Sequence, residues 1–259
     1  MSAVIHPTAI VSPSANIGDG CYVGPYSVIG DEVTLAPGVR IESHGVIEGK
    51  TSIGSNTHIF PFVSIGLAPQ DLKFQGEQTE VVIGERNQIR EFVTIHRGTA
   101  GGGGITRIGS DNLLMAQAHV AHDCNVGNNV IMANGATLAG HVEVADKANV
   151  GAFSGVHQFC RVGREAFIGG YSVVVKDALP FAISQGNHAK CYGMNRVGMN
   201  RRGYSKETMA AVHRAFNLLL ISKLNTTQAV ERIKEEISDV PEVDYLVSFI
   251  EESARGVVK

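Results

Sequence analysis

An aliphatic residue returns every six positions through most of this chain, and that period limits the fold more than any other feature. The series runs Ile5, Val11, Ile17, Val23, Ile29, Leu35, Ile41, Ile47, Ile53, Ile59 and Ile65, then resumes at Ile83, Ile89 and Ile95. It slips by one residue and continues through Ile108, Leu114, Val120, Val126, Met132, Leu138, Val144, Val150, Val156, Val162, Ile168 and Val174. A fixed short period marks a solenoid, whose units bury their apolar faces only by stacking. Two positions before each site the residue is usually small, as at Ala9, Cys21, Ser27, Ala118, Cys124, Ala136, Ala148, Cys160 and Ala166. Residues two apart on a strand share a face, so both sites point inward and the cysteines read as small core fillers. The 30 glycines, 6% aromatics and absent tryptophan suit a narrow, repetitive core.

This six-residue pattern resembles the hexapeptide transferases, which implies a mainly β fold: a left-handed parallel β-helix over about residues 1–189. Three strands per coil then give eighteen residues per turn, with coils about 4.8 Å apart. The resemblance also implies a trimer. Between Ile65 and Ile83 the phase holds, but the inward sites would be Asp71 and Glu77. Charged side chains do not fill a narrow apolar core, so residues 67–80 are expected to leave the prism as a loop. A second break, 98–107, contains Gly101–Gly104. It lacks the Gly-Lys-Ser/Thr ending of a phosphate loop and reads as a flexible excursion.

After Val174 the repeat stops. Residues 180–204 read as irregular, and 190–259 as a helical domain of three helices covering the open end of the coil. Ser205 is placed to cap the first, the second runs over about 226–237, and Asp239-Val240-Pro241-Glu242 resembles a capping box opening the third. Lys190, Arg196, Arg201, Arg202, Lys206 and Arg214 form a basic patch on a chain of net charge −3, which suggests an acidic partner or phosphates. The overall charge argues against a general nucleic-acid binder. No apolar run is long enough for a membrane span. The N-terminus has no signal-peptide pattern, and four cysteines without a CxxC pair fit a reducing, cytoplasmic setting.

Six of the ten histidines lie between residues 96 and 188. Val120, Leu138 and Val156 are eighteen apart, and His122, His141 and His157 follow them. These three therefore fall along one edge of the prism within roughly 10 Å, with His119 at the corner just before. Histidine titrates near neutrality and suits a general base acting on a hydroxyl. No GxSxG context supplies a covalent nucleophile, so direct transfer is favoured.

The motifs Gln70-Asp71-Leu72-Lys73, Ala118-His119-Val120-Ala121-His122-Asp123-Cys124, Val156-His157-Gln158-Phe159-Cys160 and Gln185-Gly186-Asn187-His188-Ala189 resemble those of the UDP-N-acetylglucosamine acyltransferases. Thr94-Ile95-His96-Arg97-Gly98 and Arg201-Arg202-Gly203 add to the likeness, which spans the whole chain. It implies transfer of an (R)-3-hydroxyacyl chain from the phosphopantetheine thioester of acyl carrier protein to the glucosamine 3-hydroxyl of UDP-N-acetylglucosamine. No further cofactor and no metal are implied. His122 matches the general base, Asp123 its acidic partner, and the Gly140 N–H the oxyanion donor. Strand alternation would send adjacent His122 and Asp123 to opposite faces. Gln70, Asp71, Lys73, His96, His119, His141, His157 and Gln158 match substrate-positioning residues; Asn195, Arg201 and Arg202 match the nucleotide-phosphate end. Active sites between subunits are implied as well. Gly170 matches the acyl-length position, where the lack of a side chain leaves room for a long chain such as 3-hydroxymyristoyl.

Val197 stands where the family often has glutamate, which leaves room for a 3-amino sugar nucleotide. The resemblance places the reaction at the start of lipid A synthesis; an N-acyltransferase acting later in that pathway would carry a domain ahead of the repeats, which here begin at Ile5. A zinc carbonic anhydrase of this fold would need a His-x4-His pair, whereas His119 and His122 are three apart. A non-catalytic scaffold would not need the histidines.

Overall fold

In the computed structural model, which describes residues 2–259, most six-residue units are a two-residue strand and a tight corner. Strands eighteen residues apart pair in parallel: Val4–Ile5 with Tyr22–Val23, Ile10–Val11 with Val28–Ile29, and Asn16–Ile17 with Val33–Leu35. Repetition builds three sheets, here A, B and C, which form the sides of a prism. From Val23 onward every residue of the six-residue series is buried. Ile5 is 45% exposed because the first coil has none beneath it. Cys21, Cys124 and Cys160 are buried free thiols, and burial pushes the Cys124 thiol up to about 12, which makes it a filler and not a nucleophile.

The two breaks obey the register. Ile53 pairs with Ile83 and Ile83 with Ile108, spans of 30 and 25 residues against the regular 18. The first loop therefore adds 12 residues, two whole repeat units, and the phase survives. The second adds 7, one unit and one residue, which is the observed slip. Residues 68–79 do leave the prism between strands Ser64–Leu67 and Glu80–Ile83. The second break differs from expectation. Sheet C resumes already at Ile105, and Ala100–Gly102 is a turn of 3-10 helix held by Gly102 and Gly104 N–H donation to the Thr99 carbonyl. It is a hydrogen-bonded turn, with Ala100, Gly101 and Gly103 exposed, where a structureless excursion was expected.

The stretch read as irregular is an antiparallel hairpin, Ala182–Gln185 with Lys190–Met194, that extends sheet A. A short helix, α1 (Arg196–Arg201), follows; then come α2 (Lys206–Leu220), α3 (Thr226–Glu236) and α4 (Pro241–Glu251). Ser205 caps α2, and Asn225 with Gln228 forms a reciprocal box on α3. The capping box expected at Asp239 does not form: Asp239 has φ 60° and Val240 is the N-cap, so proline in the first turn supplies the start signal. Phe181, Met199, Val212, Phe216, Ile233 and Leu246 build a second core. The chain end returns to the prism, where Val258 packs into the first core and donates its N–H to the Asp177 carbonyl.

Candidate active site

The corner joining sheets B and C collects the chemistry. Both loops leave the prism there, and in the next coils the same corner is His122-Asp123, then Gly140-His141, then Gln158-Phe159. The second residue of each corner lies in the left-handed region: Asp123 at φ 60°, His141 at 62° and Phe159 at 64°. That geometry ends the strand alternation, so Asp123 turns back to its neighbour and its Oδ2 lies 2.8 Å from His122 Nδ1. The expected opposition of the two side chains fails because they sit in a turn and not in a strand.

The Asp123 side chain is fully buried, and His122 is 15% exposed. Besides His122, the carboxylate accepts from the Thr99 N–H at 2.8 Å and the Thr99 hydroxyl at 2.7 Å. The Asp123 N–H donates to Thr106 Oγ1 at 2.8 Å. An ionised carboxylate only accepts, so neutral His122 carries its proton on Nδ1 and leaves the Nε2 lone pair free. Gly140 lies against this ring: a Cβ there would stand 2.7 Å from Nε2 and 2.5 Å from Cε1. Gly140 also holds the first corner position, occupied elsewhere by Pro7, Pro13, Pro25, Pro37 and Pro61. Winding the coil therefore makes no demand on its N–H.

The other histidines surround this pair. His141 meets His122 edge-on with ring centroids 5.1 Å apart and stacks on Phe159 at 4.5 Å. His119 does not occupy a corner as expected. It lies on strand His119–Val120 of sheet B, where its Nδ1 is 2.7 Å from Thr94 Oγ1 and its ring meets His96 edge-on. Burial, with the neighbouring His96 and His122, pushes the His119 imidazole down to about 4. Burial lowers His96 and His141 too, the latter against the opposing pull of Asp123. His96 is 6% exposed and its Nδ1 has no partner. A buried unpaired nitrogen facing a cluster is a place for a ligand's polar group. One ligand atom from each of His122, Asp123 and His141 lies within 4.8 Å of the others, so the three could also hold a divalent ion.

Not every residue expected at the site gathers here. Gln70, Asp71 and Lys73 ride on the outer loop, where the Lys73 N–H donates to Asp71 Oδ1. Arg97 over Phe74 and the Ala100 N–H to Glu77 tie that loop to the corner. His157 follows one coil on, with Nδ1 3.1 Å from the Gln158 carbonyl and 3.4 Å from Arg255. Asn195, Arg201 and Arg202 belong to α1 and its flanks. Asn195 accepts from the Gly198 N–H and donates to the Glu165 carbonyl, while Arg202 reaches buried Glu165 at 3.1 Å. Arg201 is exposed. Of the basic patch, Arg214 is paired with Glu236 and is a helix-packing residue. Gly170 sits at an A–B corner, one sheet's width from His122 and three coils farther along, about 14 Å. Thr99 and Thr106 carry no motif signal, and the sequence gives no warning of them; Phe159 lies inside the Val156-His157-Gln158-Phe159-Cys160 motif, which assigns it no role.

Known proteins resemble this chain in sequence and fold over nearly its whole length. The family described as "Bacterial transferase hexapeptide (six repeats)" matches residues 14–49 and 105–140, and "Udp N-acetylglucosamine O-acyltransferase; Domain 2" matches 177–258. An acyl-[acyl-carrier-protein]–UDP-N-acetylglucosamine O-acyltransferase of Thermodesulfovibrio yellowstonii is 49% identical over 98% of this chain and 99% of its own. The solved structure of LpxA from Acinetobacter baumannii is 45% identical, covers 99% of this chain and 100% of its own, and superposes with a TM-score of 0.96. LpxA of Bacteroides fragilis, a UDP-N-acetylglucosamine acyltransferase, follows at 38% identity, 98% and 99% coverage and a TM-score of 0.95. The shared fold is the left-handed parallel β-helix. With the fold and 49% identity over nearly the full length in agreement, this chain belongs to the UDP-N-acetylglucosamine O-acyltransferase family.

Proposed function

We propose that this protein moves an (R)-3-hydroxyacyl chain from the thioester of acyl carrier protein to the 3-hydroxyl of UDP-N-acetylglucosamine, the first step of lipid A biosynthesis. The observation that carries this is the His122–Asp123 pair with Gly140 against the imidazole. His122 Nε2 takes the hydroxyl proton as the sugar oxygen attacks the thioester carbon. The resulting oxyanion is held by the Gly140 N–H, a donor fixed before the charge develops. Collapse expels the phosphopantetheine thiolate, which His122 reprotonates. Gln70, Asp71, Lys73, His96, His119, His141, His157 and Gln158 position the substrates. Asn195, Arg201 and Arg202 serve the nucleotide phosphates, and the basic face of 190–259 receives the acidic carrier protein.

The bond energy comes from the thioester, so no added cofactor is needed. Gly170 and His122 lie on different corners of one protomer, which supports a homotrimer with its sites between subunits. Among the described residues no helix is long and apolar enough to cross a membrane, in keeping with action in the cytoplasm. Val197, 59% exposed on α1, favours one second reading, a 3-amino sugar acceptor. Incubation of a ladder of 3-hydroxyacyl carrier proteins with UDP-N-acetylglucosamine, and separately with its 3-amino analogue, tests both. An alkali-labile ester on the sugar supports the proposal; no transfer, or transfer only to the 3-amino analogue as a stable amide, contradicts it.

A further inference from the structure

The glycine run at 101–104 has no part in the chemistry above, yet its loop covers Asp123. We infer that this loop is a clamp and that Thr99 is a positioning residue acting on His122 through Asp123; the inference rests on the acyl-transfer role of that pair. A carboxylate with no exposed surface must find all its donors within the protein, or it turns or neutralises. Two of its three donors are the N–H and hydroxyl of Thr99. Extended backbone at Thr99 (φ −120°, ψ 155°) aims both at Asp123, and the 3-10 turn that follows fixes the Thr99 carbonyl.

The glycines have different duties. A Cβ on Gly102 would stand 2.0 Å from Asp123 Cγ, so only glycine lets the backbone lie on the carboxylate. Gly103 has φ 93°, whereas a Cβ on Gly101 meets open space. The Ala100 N–H donates to Glu77 at 3.3 Å, which joins the clamp to the loop bearing Asp71 and Lys73.

Steady-state kinetics of Thr99→Val and Thr99→Ser, each alone and with Asp123→Ala, test this. Thr99→Val is expected to lower kcat roughly tenfold or more with both KM values within about twofold, and serine to restore it. In the Asp123→Ala background Thr99→Val is expected to cost nothing further. Gly102→Ala should reduce kcat while Gly101→Ala does not. Thr99→Val at full kcat, or an equal loss in the Asp123→Ala background, overturns the clamp alone. Full turnover by Asp123→Ala itself overturns the dyad and the clamp with it.

Discussion

Replacing Gly140 by alanine separates the placement of His122 from its chemistry. The added methyl would stand 2.5 Å from His122 Cε1, 2.7 Å from Nε2 and 3.2 Å from Nδ1. Ordinary contact of such atoms is about 3.5–4.0 Å, so the ring must move by about 1 Å. The ring is a free-ended side chain and yields more easily than the coil. Its movement stretches the 2.8 Å bond to Asp123 and carries Nε2 off the line of attack. A misplacement of about 1 Å costs on the order of a hundredfold in rate. Gly140 is not in the left-handed region, so alanine fits its backbone and global stability should hold to within about 1 kcal/mol. The assay is the rate of acyl transfer at saturating donor and acceptor, with thermal unfolding in parallel. Gly155→Ala, whose added methyl meets nothing within 4 Å, is the control and should keep both rate and stability. If Gly140→Ala folds normally and turns over within about threefold of the parent, the tight seat argued for His122 is wrong.

The remaining predictions concern acid, acyl length and metal. His119 titrates near 6.5 in the unfolded chain but at about 4 in the folded one, so the unfolded state binds more protons between those values. The contribution of this residue is therefore fully present above about pH 6.5 and is lost as pH falls toward 4. Urea unfolding of His119→Asn should show a shallower decline over that window; an unchanged slope would refute the assignment. Gly170→Met should shift preference to shorter acyl donors, since a Cβ there already meets the Ala152 carbonyl at 3.3 Å; unchanged selectivity would remove the ruler role. Zinc should inhibit by drawing His122 Nδ1 and Asp123 Oδ2 onto one ion, while a chelator leaves the rate unchanged; loss of activity on chelation and its return with zinc would reverse this account.

The repeat was legible because a narrow core enforces period and size at every coil, and Ile29, Leu114 and Val174 are all buried where the phase placed them. Even the slip after Ile95 has a geometric cause, since a seven-residue insertion cannot preserve a six-residue phase. The site was legible in part. Register alone brought His122 and His141 together, whereas the roles of Asp123 and Gly140 came only by resemblance. Strand alternation misplaced Asp123 because a strand rule was applied to a corner residue with φ 60°. His119 is the opposite case, a strand residue of His119–Val120 expected at the corner that ends before it. Thr99 and Gly102 were hidden for another reason: a glycine run shows no side-chain pattern, and its purpose depends on the carboxylate beneath it.

The most direct test of the account is the kcat of His122→Ala in transfer from 3-hydroxyacyl carrier protein to UDP-N-acetylglucosamine. The account predicts a loss of at least about a hundredfold, the usual worth of a general base, in a protein that still folds. Turnover close to that of the parent protein would contradict it.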